Sequence, residues 1–158
     1  MTFRSKVQPD ILQITSKETL DACTMLFIKV FNDSPWNDEW TMATARPLLN
    51  CYFNTPQFIG LMAVANKTPL GCIMGNIEPN FAGDIFYLRE LFVAPDHKNK
   101  GIGKYLMAAL KKELSLKNAA TLVLFTRNTI FSYYQQFGFV NQHEMGLMTC
   151  STQDLVLL

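Results

Sequence analysis

Charge is scarce in this chain, and the scarcity excludes several classes of protein. Only 17% of the 158 residues are charged and 49% are hydrophobic, a composition too apolar for a disordered chain. Fourteen Lys and Arg stand against thirteen Asp and Glu, a net charge of +1. We therefore do not expect nucleic acid as a partner, because phosphate-driven binding needs a basic excess. The length predicts a single domain over residues 1–158.

Long apolar runs and paired cysteines are also missing. No segment approaches the ~20 apolar residues that a membrane-spanning helix needs. The opening MTFRSKVQPD lacks the apolar stretch of a secretory signal. The four cysteines lie far apart, and no CxxC pair indicates a metal site or a disulfide framework. We expect reduced and mostly buried thiols, no bound metal, no membrane contact and a cytoplasmic location.

Hydrophobic periodicity predicts a mixed α/β fold. Helical spacing marks residues 17–31 with Ser16 as N-cap, a helix at about 39–53 kinked near Pro47, and a long amphipathic helix starting at Gly101. Apolar runs predict strands at 58–65, 70–78, 84–93, 120–126, 139–143 and 146–150, and a short helix at 129–137. The strand–helix–strand unit over 84–126 implies one parallel pair within a mixed sheet.

The junction VAPDHKNKGIGK carries the strongest chemical signal. A strand ends, a loop turns and a helix begins at glycine, where unpaired amides meet the positive end of the helix dipole. Gly101 and Gly103 let the backbone approach an anion, and Lys98, Lys100 and Lys104 add charge. The pattern predicts a phosphate or pyrophosphate cradle. The alternative is a tight turn with solvated lysines, and the spacing fits neither a P-loop nor a dinucleotide fingerprint.

Glu90 is a candidate general base. In the alternation of its strand it lies between Leu88 and Phe92, and an apolar setting raises the pKa of a carboxyl. The alternative is that Glu90 pairs with a basic neighbour or caps a bulge. We expect Arg89 to be a structural partner or to reach solvent.

Two motifs resemble the GNAT superfamily of N-acetyltransferases. The run KNKGIG at 98–103 is similar to the family's acetyl-coenzyme A signature, Gln/Arg-x-x-Gly-x-Gly/Ala, with Lys98 where Gln or Arg is usual. The run YQQFGF at 134–139 resembles the family's Tyr-x-x-x-Gly-Phe. Arg127 stands where relatives often carry an Asn, with Asn128 next to it. The resemblance covers roughly residues 60–150.

The resemblance implies a largely antiparallel sheet flanked by helices, whose one parallel strand pair splays apart at its C-terminal end. It implies acetyl-CoA as co-substrate, with pantetheine on the backbone near Leu91 and Val93 and pyrophosphate on the amides of residues 98–104. Asn128 becomes a further cofactor-binding candidate. The Val93 amide would donate to the thioester carbonyl. Since the amine attacks directly, no enzyme nucleophile is needed.

A catalytic role for Tyr134 also follows from the resemblance. Its place four residues before Gly138 matches the tyrosine that protonates the CoA thiolate in the family. The alternative is an ordinary core aromatic, since Tyr134 shares helical spacing with Ile130 and Phe137.

Relatives often line the acceptor pocket with the region between the first two helices. Here this region contains Trp36, Asp38 and Trp40, which could hold a cationic amine by ion pairing and cation–π contact. The alternative is that the tryptophans pack the loop down and the acids are solvated.

The predicted function is transfer of an acetyl group from acetyl-CoA to the primary amine of a small molecule. The alternatives are a protein or peptide amine as acceptor, or a non-catalytic sensor that binds acyl-CoA. A final strand in DLVLL would support pairing in a homodimer.

Overall fold

The computed structural model describes residues 8–154. Within them, five strands lie in sequence order across one sheet: β1 Asp10–Gln13, β2 Phe58–Ala65, β3 Thr68–Glu78, β4 Ile85–Val93 and β5 Thr121–Leu124. Neighbouring strands are antiparallel from β1 to β4, and β4 pairs with β5 in parallel. The predicted fold class, a mixed and largely antiparallel sheet with one parallel pair, is confirmed.

The helices begin and end close to the predicted positions. They are α1 Lys17–Phe31, α2 Met42–Phe53, α3 Ile102–Ser115 and the short α4 Phe131–Gln135. Ser16 caps α1, because its hydroxyl accepts from the Thr19 amide at 3.2 Å. Helix α2 starts three residues later than expected and runs through Pro47.

Helices α1, α2 and α3 cover both faces of the sheet. Met74 and Phe92 belong to one buried cluster with residues of α1 and α2, as does Cys72. Gly71 points the other way, where an added Cβ would lie 3.1 Å from side-chain atoms of α3. We call these two sides the α1–α2 face and the α3 face.

Two expectations about the chain are wrong, and one strand was not predicted. The strands expected near 139–143 and 146–150 are absent, since residues 139–150 contain no strand and their large apolar side chains are mostly exposed. Strand β1, four mostly exposed residues, was not predicted, because so short a segment shows no clear period. Only two of the four thiols, Cys23 and Cys72, are buried.

The chain divides into two compact units, the first ending at Phe125 and the second beginning at Thr126. The first holds the sheet with α1 to α3, and the second holds α4. The single domain over 1–158 stays a prediction. Between residues 8 and 154, no helix combines the length and apolar character needed to cross a membrane. The homodimer strand DLVLL falls almost wholly outside the described residues.

A bulge interrupts β4 where the chemistry was predicted. Met74 pairs with Glu90 and Gly75 pairs with Leu88, so Arg89 is the extra residue. At Gly75 the two strands approach so closely that a Cβ would overlap the Tyr87 carbonyl oxygen. Only glycine therefore fits at this position of β3 without moving the backbone of β4.

Candidate active site

The parallel pair of strands opens toward its C-terminal end. Pairing between β4 and β5 covers only Ile85–Leu88 opposite Thr121–Leu124. Beyond this point, β4 continues to Val93 with no strand on that side among the described residues. The predicted splay is thus present, and Leu91 and Val93 lie on the part of β4 whose backbone edge is open. An extended ligand can pair with such an edge in the manner of an added strand.

The N-terminus of α3 follows this open edge along the chain. Gly101 is the N-cap of α3 in the left-handed conformation, with φ +87°, and an added Cβ would meet no atom within 4 Å. The hydrogen bonds of α3 begin with the bond from the Tyr105 amide to the Gly101 carbonyl at 3.0 Å. The amides of residues 102–104 therefore have no intrahelical acceptor. These donors and the helix dipole suit a phosphate group.

The three lysines of the motif surround this helix end and are exposed. The Lys100 ammonium donates to the Asp96 carbonyl at 2.6 Å, and that of Lys98 donates to the Ser34 carbonyl at 3.4 Å. Lys104 lies on the first turn of α3. Since no ion pair of these lysines with a carboxylate is recorded among the described residues, their charge is available to an anion. The predicted cradle residues therefore fit a pyrophosphate.

Glu90 lies on the α1–α2 face, opposite Met74 and one alternation from Phe92. Burial raises the pKa of its carboxyl from 4.5 to about 7, and a hydrogen bond with the side chain of Tyr52 partly offsets this effect. Tyr52 belongs to the last turn of α2, so two separate elements meet at the carboxyl. A carboxyl that titrates near neutral pH can accept a proton from a substrate.

Arg89, the cation next to Glu90 in sequence, is directed elsewhere. Its Nε donates to the Asn76 side-chain oxygen at 3.1 Å, and its guanidinium pairs with Glu78 at 3.4 Å. The guanidinium also lies over the Tyr87 ring, 5.3 Å from the centroid. The structural role expected for Arg89 is confirmed.

The segment between α1 and α2 packs onto the aromatic core. Trp40 stacks edge-on against Phe27 with ring centroids 5.2 Å apart, and Phe27 contacts Phe92 at 5.5 Å. The Trp40 indole donates to the Asp38 carboxylate at 3.1 Å, and Trp36 lies against Phe31. The packing interpretation thus accounts for both tryptophans. Asp38 stays exposed at the surface, on the side of the sheet that carries Glu90.

Tyr134 lies in the second compact unit, on α4. Its ring contacts those of Tyr133 at 5.2 Å and Phe139 at 5.7 Å. Gly138 has φ +91° and ends this helical segment, as the motif predicts. Asn128 begins the turn that precedes α4. The catalytic role of Tyr134 and the cofactor contact of Asn128 stay predictions.

Two features of the site were not predicted from the sequence. Tyr52 follows Leu49 and Ala45 at helical spacing, which indicated an ordinary core position. Asn76 is a polar residue within the apolar run LGCIMGNIE and is only 3% exposed. An amide side chain within an apolar run indicates a buried hydrogen-bonding site, because buried polar groups require partners. This signal could have identified Asn76.

Comparison with known proteins agrees with this geometry. A profile of the acetyltransferase (GNAT) family matches residues 25–139. The chain therefore belongs to the GNAT acetyltransferase family, and the N-acetyltransferase class inferred from the two motifs is confirmed.

Individual proteins and solved structures are also similar to the chain. An uncharacterized N-acetyltransferase, ycf52, of Gracilaria tenuistipitata var. liui is 31% identical over 51 residues, which span 32% of this chain and 28% of that protein. An integron cassette protein from the mobile metagenome of V. cholerae shares the fold with a TM-score of 0.74 at 18% identity, over 94% of this chain and 95% of that one.

A second similar structure is that of AAC(6')-Iy, an aminoglycoside N-acetyltransferase, in complex with the bisubstrate analogue CoA-S-monomethyl-acetylneamine. It has a TM-score of 0.68 at 19% identity, over 90% of this chain and 97% of that one. At such identities the likeness establishes the fold alone.

Proposed function

We propose that this protein transfers an acetyl group from acetyl-CoA to the primary amine of a small molecule. The observation that carries the proposal is the position of Glu90. Its carboxyl has a pKa raised to about 7 by burial and lies on β4, in the part of that strand whose backbone edge is open. A base and a groove for an extended cofactor arm thus share one strand.

The proton chemistry assigned to Glu90 follows from its environment. An alkylammonium group with a pKa near ~10.4 must lose a proton before its nitrogen can attack a carbonyl. A carboxylate with a pKa near neutrality accepts that proton more readily than an ordinary one, and general base catalysis contributes roughly 10²–10⁴-fold. The hydrogen bond with Tyr52 of α2 lowers the Glu90 pKa and so favours the charged carboxylate.

Acetyl-CoA supplies the acetyl group as a thioester, and the described residues fit it. Leu91 and Val93 offer backbone groups to the pantetheine arm, and the Val93 amide is the candidate donor to the thioester carbonyl. The amides of residues 102–104 and the exposed Lys98, Lys100 and Lys104 suit the pyrophosphate. On its motif, the Tyr134 hydroxyl donates a proton to the departing thiolate.

A small-molecule acceptor is favoured over a protein for one reason. The structure that binds an acetylneamine-containing analogue, an amine-bearing small molecule, shares the fold of this chain. On this chain, the Asp38 carboxylate is exposed in the segment between α1 and α2 and would attract a cationic amine.

The test is a panel of primary amines assayed by release of the CoA thiol, with acetyl-CoA saturating. We expect turnover with at least one polyamine-like or aminoglycoside-like acceptor, and a loss of about tenfold or more in Glu90→Gln. Glu39→Gln, an exposed carboxylate, is the control and should retain turnover. Turnover with peptides alone would make a protein amine the acceptor, and tight acetyl-CoA binding without any turnover would favour the sensor.

A further inference from the structure

Glu90 has a cation as its direct neighbour in sequence and is not paired with it. The bulge lets Arg89 and Glu90 share the α1–α2 face although they are adjacent in sequence. Glu90 lies opposite Met74, and Arg89 contacts Asn76, which is two residues from Met74 on β3 and therefore on the same face. A guanidinium beside a carboxylate favours the charged form, and an adjacent opposite charge lowers a carboxyl pKa by roughly 1–3 units. Pairing with Arg89 would therefore make Glu90 a weaker base.

Two contacts direct the guanidinium to the neighbouring strand β3 instead. Asn76 accepts from the Arg89 Nε at 3.1 Å and donates through its own amide nitrogen to Glu78 at 3.1 Å. Glu78 pairs with the guanidinium at 3.4 Å, and the Tyr87 ring lies beneath it. The ion pair is about half exposed and is weak alone. Asn76, which is 3% exposed, is a second anchor that bonds both Glu78 and Arg89, so that Asn76 and Glu78 hold the guanidinium together.

We propose that Asn76 and Glu78 form a positioning device that holds Arg89 away from Glu90 and so leaves the Glu90 carboxylate free to accept the substrate proton. The inference rests on the proposed function, because it concerns the base of that reaction. Asn76, Glu78 and Arg89 are positioning residues: they act through Glu90 and need no contact with the substrate.

The charges around Glu90 agree with this assignment. Tyr52 from α2 acts on the Glu90 carboxyl directly, the charges of Arg89 from β4 and Cys51 from α2 act on Tyr52, and Glu78 from β3 pairs with Arg89. Burial is the main cause that raises the Tyr52 pKa, and the charge of Arg89 lowers it, so Arg89 lies within electrostatic range of this region. The pKa of Glu90 itself depends on burial and on the bond with Tyr52.

The experiment is a double-mutant cycle on Glu78 and Arg89, read out as the pKa of Glu90. The carboxyl carbons of glutamate are labelled with ¹³C, the Glu90 resonance is assigned by its loss in Glu90→Gln, and its titration is followed by NMR. The acid limb of the pH dependence of kcat/KM is recorded on the same four proteins.

We expect Glu78→Gln to release Arg89 and lower the Glu90 pKa by about one unit or more. Arg89→Met should change that pKa little in the wild-type background and should reverse the lowering in the Glu78→Gln background. Glu39→Gln, which removes a carboxylate remote from the network, should leave the titration unchanged. Asn76→Ser, which shortens the anchor, should act in the same direction as Glu78→Gln.

Two results would overturn the inference. One is an unchanged Glu90 titration in Glu78→Gln. The other is an equal effect of Arg89→Met in both backgrounds, as simple addition of distant charges predicts. The NMR titration separates this inference from the proposed function. If Glu90 is not the base, the titration still shifts as described, and only the kinetic profile fails to follow it.

Discussion

Tyr52 on α2 hydrogen-bonds Glu90 on β4, and this bond opposes the effect of burial on the Glu90 carboxyl. Burial favours the protonated acid, whereas a hydroxyl that donates to the carboxylate favours the charged form. The result is a pKa of about 7. The pKa of Tyr52 is itself raised, chiefly by burial, so its hydroxyl stays protonated and able to donate at neutral pH.

Removing the Tyr52 hydroxyl should weaken the enzyme at low pH. Tyr52→Phe deletes the bond that lowers the Glu90 pKa, so this pKa rises above about 7 and the acid limb of kcat/KM moves to higher pH. At pH 6 we expect a loss of about threefold to tenfold, and near-normal activity at pH 9. Tyr105→Phe, a hydroxyl deletion on α3, is the control. A uniform loss at all pH values would assign Tyr52 to another role.

Glu90 should also make the stability of the fold depend on pH. Its folded-state pKa lies above the usual 4.5, so the native state binds more protons than the unfolded state between pH 4.5 and about 7. Stability therefore falls as pH rises through this window and levels off above it. The difference corresponds to about 3 kcal/mol in the free energy of unfolding.

Denaturant unfolding of Glu90→Gln across pH 4 to 9 measures this contribution. We expect the variant to lose the decline through this window and to be more stable than wild type at pH 8. Glu39→Gln should follow the wild-type curve. Parallel curves for wild type and Glu90→Gln would mean that the carboxyl is solvated in the native protein.

Local patterns were sufficient to predict most of the fold. Neighbouring residues alone predict three features: the cap of α1 at Ser16, the apolar runs of β2 to β4, and the start of α3 at a glycine. Strand alternation correctly predicted that Glu90 shares a face with Phe92. It wrongly placed Leu88 on that face, because the bulge at Arg89 turns Leu88 to the α3 face. Exposed segments lack a reliable pattern. Strand β1 was therefore not predicted, and the apolar residues after Phe139 were wrongly interpreted as strands.

The partners of Glu90 and Arg89 could not be predicted in this way. The bond from Tyr52 joins a helix and a strand that are distant in sequence. The orientation of Arg89 depends on the bulge, and beside this bulge Gly75 lies close to the Tyr87 carbonyl. Such contacts depend on which residues of two strands lie opposite each other, and local sequence patterns do not show this register.

Gly103 should be necessary for binding of CoA. It is buried in the first turn of α3, beside the amides assigned to the pyrophosphate, and a branched side chain there obstructs an approaching ligand. For Gly103→Val we expect a loss of more than about tenfold in acetyl-CoA affinity by calorimetry. Gly146→Val is the control, because a Cβ at Gly146 meets no atom within 4 Å. Unchanged affinity in a folded Gly103→Val protein would remove the cradle assignment.

Lys104 should contribute charge to the same cradle. Its ammonium is exposed on the first turn of α3, so Lys104→Ala should weaken acetyl-CoA binding by about twofold to fivefold at low salt. The difference should shrink at high salt, because screening reduces exposed electrostatic interactions. Lys111→Ala, an equally exposed lysine further along the same helix, should have no effect. Equal losses in the two variants would indicate a general effect of net charge.

Tyr134 should be needed for the chemical step and not for the fold. Tyr134→Phe keeps the ring and its contacts with Tyr133 and Phe139, so the melting temperature should stay nearly constant. If the hydroxyl protonates the thiolate, the single-turnover rate at saturating acetyl-CoA should fall by more than about tenfold. A pre-steady-state measurement is required, because slow product release hides a chemical defect in kcat.

The adjacent Tyr133 provides a matched control for this variant. Its hydroxyl lies on the same short helix, and burial raises its pKa, so Tyr133→Phe removes a similar group in a similar setting. We expect Tyr133→Phe to keep the single-turnover rate and to lose at most about 1 kcal/mol of stability. If Tyr134→Phe behaves like Tyr133→Phe, the tyrosine of this motif is a packing residue here, and the proton for the thiolate comes from water or another group.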